Sequence, residues 1–427
     1  MKGSGNVNII KKIWNKHYYS ICFFVFLVCY SVVIPGQCQP WLASKVSLSF
    51  HAVDFSMGFC SKILPGAIYN IFFDDVSTFK VSVYETVLLV LLFLGVSFIA
   101  EKFILQFPLK QQKTGVIIVL FLLTGPITFS NYVNELGMLD VCWIILSALF
   151  VVFLSKKELY FLLIPVCMCA VMVHFSSVFC FVPLFFFLIL YKISCITEPK
   201  EKKCLCIVFI VAIIVSVLLA VYFVVFETTT LTYTQQEFRE IMLSRGVPES
   251  HLYYYEYAFY GVTPDFDDAG ESLPEITGDT FFMYLLHIVK VQFVTTFILK
   301  IQQISNGYGI NSVFLVFLVM PIIIFIFKSF SKVIKDDKSN KIKVASLIFM
   351  MIMSFVPMVV GFFTSTDLIR WISHSFFPLF IFFAYVLYNE GDDFRDYINE
   401  QISKIPLTVL GSYFLIYAMS YFEPYSM

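Results

Sequence analysis

The strongest constraint on this chain is its rhythm of long apolar runs separated by short polar ones. Runs of about 17 or more apolar residues recur along the whole sequence, the length a helix needs to cross a ~30 Å hydrocarbon core. Inside lipid no water is available to backbone N–H and C=O groups, so each run must satisfy them internally, as a helix does. Composition agrees. Hydrophobic residues make up 59% of the chain and charged ones 14%, with a mean hydropathy of +0.84, against roughly 45–50% and about 25% in a soluble domain. The sequence predicts an all-α polytopic membrane protein, with 1–427 forming a single integral membrane domain.

Eleven transmembrane helices are expected, near 18–36, 83–104, 114–131, 139–154, 159–175, 177–193, 204–226, 309–327, 344–363, 375–388 and 405–422. Lysine and arginine accumulate on the cytoplasmic side of membrane proteins. With the N-terminus inside, 21 of the 29 Lys and Arg residues fall in inner segments, which puts the C-terminus outside. Lys11, Lys12 and Lys16 precede a first run too long for a cleaved signal sequence, so that run is expected to stay as an anchor. Two outer loops dominate, 37–82 and 227–308. The second contains Phe281–Leu299, apolar but carrying His287, Lys290 and Gln292. Letting it span would carry the lysine-rich stretch 328–343 outside, so it is read as an interfacial helix. Most of the eleven cysteines lie within apolar runs and show neither a CxxC pair nor metal spacing. Cys38 and Cys60 share the first outer loop, and a disulfide between them stays open. No metal, cofactor or nucleic-acid partner is expected.

Isolated polar residues then converge on the outer face. Thr364–His374 reads as a polar turn between two spans and holds Asp367, Arg370 and Trp371. Arginine is scarce here, with only Arg239, Arg245, Arg370 and Arg395 in the chain. Asp54 and Lys62 lie in the first outer loop, Asp140 opens the fourth span, and His174 closes the fifth. Arg239 and Arg245 lie in the large loop, followed by the crowded Tyr254, Tyr255 and Tyr257. The inner side is expected to hold only scattered anchoring lysines. Each outer residue has a plainer reading as well. Asp140 is placed to cap its helix, His174 to cap a span end, and Asp367 and Arg370 to pair across one helical turn. The tyrosines suit either a packed loop or stacking on sugar rings. As a set, the residues fit a phosphate-linked substrate presented from the bilayer. Arginine offers a planar fork to phosphate oxygens, and a carboxylate or imidazole takes the proton of an attacking hydroxyl.

Asp54-Phe-Ser-Met-Gly-Phe-Cys-Ser-Lys62, Leu136-Gly-Met-Leu-Asp140, the histidine ending the next span, and Asp367-Leu-Ile-Arg-Trp371 together resemble bacterial O-antigen and capsule polymerases and related lipid-linked-sugar membrane glycosyltransferases. Hydropathy extends the likeness over nearly the whole chain, including a large external loop late in the sequence. The resemblance implies glycosyl transfer at the periplasmic face of the bacterial inner membrane, on undecaprenyl-diphosphate-linked repeat units, with a chain-length regulator as a candidate protein partner. Asp54, Asp140, His174 and Asp367 would then be catalytic candidates. Arg370, Lys62, Arg239 and Arg245 would meet substrate phosphate, and Tyr254, Tyr255, Tyr257 and Trp371 the glycan. Two other readings stand beside it: a transferase adding one decorating sugar from an undecaprenyl-phosphate donor, and a lipid-linked-oligosaccharide flippase. The charge bias makes the topology testable. Reporter fusions after residues 60, 135, 260 and 368 should report outside and those after 110, 200 and 335 inside. An inside signal at 260 together with an outside signal at 335 overturns the map.

Overall fold

A computed structural model describes residues 16–33, 42–43, 45–128, 139–226, 232–252, 308–364 and 368–420. Every regular element among them is helical. In chain order the α-helices are α1 (Tyr18–Val33), α2 (Lys45–Ala52), α3 (Ile63–Tyr69), α4 (Thr78–Ile104), α5 (Gln112–Leu123), α6 (Asp140–Leu154), α7 (Leu163–Val173) and α8 (Phe181–Cys195). They continue as α9 (Pro199–Phe226), α10 (Gln235–Ser244), α11 (Tyr308–Asp336), α12 (Lys341–Met353), α13 (Val356–Thr364), α14 (Leu368–Asn389), α15 (Asp392–Ser403) and α16 (Leu407–Met419). The expected interfacial helix 281–299 lies outside the described residues.

Helices stand where the apolar runs are, but many are shorter than the runs. Among the described residues, five can cross a bilayer by length and composition, or six if α15 and α16, bent by 92°, form one broken span. That is fewer than the eleven expected, and local chemistry accounts for the difference. Helix α5 ends after 12 residues because Gly125 turns with φ +101°, beneath the ring of Tyr417. Helix α7 has 11 residues, about 17 Å of rise, because tighter 3-10 turns occupy Lys157–Leu162 and Phe175–Phe179 on either side. Helices α12 and α13 are interrupted at Ser354–Phe355 but together count as one of the five, and the Met358 N–H after the break donates to Ser375 Oγ of α14 at 2.8 Å.

The bundle is built around α14. Its most apolar window is 78% buried, against 22% for α9, so α14 is surrounded by protein while α9 presents most of its surface outward. Helices α5, α8, α11, α12 and α13 pack on α14. Aromatic side chains such as Phe376, Phe380 and Phe382 fill the space between them. Two expectations change here. Residues from Leu368 onward are helical, so Arg370, Trp371 and His374 occupy the first turns of α14 and not a polar turn. The far end of α14 also holds more than scattered lysines. Buried Lys343 of α12 meets Glu390 and Asp337 at 2.7 Å each, and the Tyr191 hydroxyl of α8 donates to Glu390. A lysine ammonium taken from water needs carboxylate partners of this kind.

The α13–α14 approach rests on one glycine. A Cβ at Gly361 would lie 2.1 Å from Cγ and 2.4 Å from Cβ of Trp371. Since Cβ is fixed to the backbone, α14 itself would have to move. Gly361→Ala should therefore destabilise the protein by about 1–3 kcal/mol. An unchanged detergent-solubilised melting temperature, with unchanged tryptophan fluorescence, would show that the two helices are not in this contact.

Candidate functional site

At the Asp140 end of the bundle, α6, α7 and α14 bring titratable groups together. Asp140 begins α6, where Leu139 holds the capping position and makes no side-chain cap bond. The carboxylate instead crosses to α14, and its Oδ1 accepts from Arg370 Nη2 at 2.7 Å. Position in the first turn of α6 favours the negative charge, because helix N-termini carry partial positive charge. His374 is one turn beyond Arg370 and on the same face. Its Nε2 lies 3.5 Å from the same Asp140 oxygen, beyond ordinary hydrogen-bond length. The Asp140 side chain is 4% exposed and that of Arg370 22%, so the carboxylate is enclosed while the arginine side chain is partly exposed.

His174 ends α7 and begins the next 3-10 turn, its Nδ1 accepting the Ser176 N–H at 3.1 Å. An accepting Nδ1 leaves the ring neutral with its proton on Nε2. His174 is therefore a cap and a hydrogen-bond donor at once. Lys62, Arg370, Asp140 and His374 all act on it electrostatically. Trp143, one turn after Asp140, stands edge-to-face against both histidines, with centroids 6.3 Å from His174 and 5.0 Å from His374. Its indole donates to Ala170 O at 3.2 Å, tying α6 to α7. Lys62 is buried at φ +69°, and its backbone N–H donates to Met172 O at 3.0 Å, which fastens the 42–76 region to the end of α7.

A second grouping forms beside it. Asp54 caps the 3-10 turn Phe55–Met57 and accepts from Arg245 Nη1 at 2.9 Å and Asn70 Nδ2 at 2.8 Å. Arg245 also donates to Ala52 O, while its own carbonyl accepts from Val76 at 2.9 Å. Arg245 closes α10, and Gly246 follows with φ +96°. Val247 N–H bonds to Met242 O and Gly246 N–H to Leu243 O, the bonding of a Schellman end. This arginine therefore clamps α10 onto the segment after α2. Arg239, also on α10, meets Glu249 on the surface. Trp371 packs over Gly361 and touches His374 edge-to-face. Asp367, Tyr254, Tyr255 and Tyr257 lie outside the described residues, as does any pairing of Cys38.

Of the residues singled out in the sequence, Asp140, His174, Arg370 and Lys62 converge. Asp54 and Arg245 pair with each other, and Arg239 stands with Glu249. The sequence reading missed His374 and Trp143 as members of the site. Their signal was helical spacing: His374 four residues after Arg370, and Trp143 three after Asp140. Another buried pair was also passed over, His51 Nε2 with Glu85 Oε1 at 2.7 Å, with Tyr69 and Tyr84 edge-on to the imidazole.

Fold and site together define an all-helical, multi-pass membrane protein with a buried Asp–Arg pair flanked by two histidines. Comparison narrows this no further, since no protein-family model and no curated protein matches the chain.

The Asp54 clamp has a pH signature. Burial pushes the Asp54 carboxyl up, but the Ser56 hydrogen bonds and the Arg245 charge outweigh it and hold it below its ordinary 3.8. A lowered carboxyl contributes stability that is present above its unfolded value and lost as pH falls through the folded one. The half-exposed pair contributes about 0–1 kcal/mol. Wild type should therefore lose melting temperature on going below pH 3.8 more steeply than Asp54→Asn. Parallel curves for the two proteins between pH 5 and 3 would mean the clamp does not hold the carboxylate as described.

Proposed function

We propose that the protein is a glycosyltransferase of surface-polysaccharide assembly in the bacterial inner membrane, polymerising undecaprenyl-diphosphate-linked repeat units at the periplasmic face. The chain would cross eleven times, with its N-terminus cytoplasmic and C-terminus periplasmic, which puts the Asp140 end outside. One observation carries the reading: Arg370 is fixed from behind by buried Asp140 while its side chain stays partly exposed, and Lys62 and His174 stand close by.

A guanidinium held by a carboxylate on one edge is preorganised to present its remaining N–H donors to a phosphate on the other. The reaction needs this more than it needs an acid. The acceptor hydroxyl attacks the anomeric carbon, the carbon–oxygen bond to the lipid diphosphate breaks, and its electron pair leaves on the phosphate oxygen. That oxygen is already stable as an anion, so cationic stabilisation by Arg370 and Lys62 outweighs protonation. His174, with its proton on Nε2, adds a neutral donor. The hydroxyl proton goes to an imidazole or carboxylate. Asp140 is a poor acceptor while Arg370 holds it, and His174 Nδ1 is occupied, which leaves His374, Asp54 and Asp367 as the candidates for the step. Asp140 is thus a positioning residue. The aromatics at Tyr254, Tyr255 and Tyr257 remain candidate stacking faces for the glycan.

Complementation of a deletion strain tests the reading through surface-glycan length. Arg370→Ala should reduce polymerisation by about 10²–10³-fold, the scale of losing an oriented charge donor. Arg370→Lys, which keeps the charge and loses the fork, should also fall well short of wild type. Asp140→Asn should be partly active. Normal glycan from Arg370→Ala at normal membrane levels would refute the phosphate site. Full-length chains lacking a side branch in the deletion strain would assign the decorating transferase instead, and repeat units trapped inside would assign the flippase.

A further inference from the structure

At the ends of α6 and α14 away from Asp140 and Arg370 lies a cavity of about 390 Å³ between α4, α5, α6, α8 and α14. This volume is within the ~300–1,000 Å³ of ligand pockets. Its wall is mostly aliphatic and aromatic, running along α6 from Ile144 to Ser155 and along α14 from Phe377 to Asn389. At 1.5 Å of rise per residue each strip is about 16–18 Å long, so the space is elongated along the helices. Three lysines line it, each from a different element: Lys102 near the end of α4, Lys156 just after α6, and Lys192 near the end of α8.

Two observations bear on what this cavity could hold. Some lysines at this end are matched with carboxylates, Lys343 with Asp337 and Glu390 and Lys332 with Asp336, while others such as Lys110 and Lys157 are simply exposed. The three at the cavity differ in lining an apolar space. Among the described residues, Lys102, Lys156 and Lys192 form no such ion pair. Farther in, Ser147 is 2% exposed and lines the cavity. Its hydroxyl bonds to no protein group among the described residues, as is also true of Ser97 and Ser216 on other helices, so it is a polar group within the slot open to a ligand. An apolar slot ending in three uncompensated cations is complementary to a lipid, with its tail along α6 and α14 and its anionic headgroup between the lysines. Basic pockets between membrane helices capture headgroups in this way.

We propose that this cavity is a binding site for an anionic glycerophospholipid of the bilayer, held by Lys102, Lys156 and Lys192. The site is separate from the Asp140–Arg370 centre and does not depend on its assignment. Bound lipid would fill the space beside α14 and offset part of the positive charge of the three ammonium groups, bracing the helix that carries Arg370 at its other end.

Native mass spectrometry of the detergent-solubilised full chain, titrated with dioleoylphosphatidylglycerol, dioleoylphosphatidylcholine or inorganic phosphate, tests this. Phosphatidylglycerol should bind at least tenfold more tightly than phosphatidylcholine, and inorganic phosphate should neither bind comparably nor displace it. Replacing all three lysines with glutamine should weaken phosphatidylglycerol binding about 100-fold, roughly fivefold per lysine. If that variant does not fold, Lys156→Gln alone, on an exposed side chain, should show the fivefold loss. Ala148→Trp, which fills the slot, should weaken the same lipid while leaving the lysines in place. Equal affinity for the two lipids, equal binding of inorganic phosphate, or unchanged phosphatidylglycerol binding by the lysine variants overturns the proposal.

Discussion

The contact on which the rest depends is the one between Asp140 and Arg370. It joins α6 to α14 across 230 residues of sequence, with the carboxylate almost wholly removed from solvent. Such a pair contributes little net stability, because desolvating two charges offsets most of their attraction. Losing one partner alone is far more damaging, typically 3–5 kcal/mol, because the other is stranded. Its value is therefore in register. Helix α14 could slide or rotate against an apolar neighbour at small cost, whereas a buried carboxylate admits only the arrangement in which Arg370 reaches it. The Lys343–Glu390 contact does the same just past the far end of α14. The helix is pinned at both ends, and its aromatic middle has only to fill space.

Pinning explains why His374 and Trp143 belong to the site. Once Arg370 points at Asp140, helical spacing forces His374 toward the same oxygen and puts it against the Trp143 ring. The indole then acts as a spacer between two imidazoles from different helices. His174 is restricted by its own turn, because accepting the Ser176 N–H fixes both ring orientation and tautomer. The cap reading and the functional reading of His174 are thus compatible. The cap is what leaves Nε2 as a donor.

How much of this was legible in the sequence depends on the range of the interaction. Hydropathy located the helices, since burial in lipid is a property of each segment by itself. It could not fix their lengths, because the stops are single-residue events: the positive φ of Gly125, and the 3-10 turns on either side of α7. The polar character of Thr364–His374 suggested a turn, yet the i, i+4 spacing of Arg370 and His374 carried the contrary message that α14 had begun. The ends of α10 were also readable. Thr234 and Glu237 form a capping box and Gly246 supplies the left-handed stop. The pairings were out of reach. Nothing in one sequence says that Arg370 reaches Asp140 across 230 positions, or Arg245 Asp54 across 191.

The distribution of charge along α14 bears on mechanism class. Its polar side chains sit at the ends, Arg370 and His374 at one and Asn389 leading to Glu390 at the other, while Phe376 to Phe383 between them are mostly buried aromatic and aliphatic groups around Pro378. A protein that carries a polar headgroup through its interior needs partners for it at every depth, since an unsatisfied polar group in an apolar setting costs several kcal/mol. The central helix offers none over that stretch. Chemistry at one end of the bundle requires only what is found there: a cation held from behind by a carboxylate, a donor imidazole beside it, and partial exposure of the arginine side chain. The physical layout thus supports a stationary site at the Asp140 end over a route along the central helix.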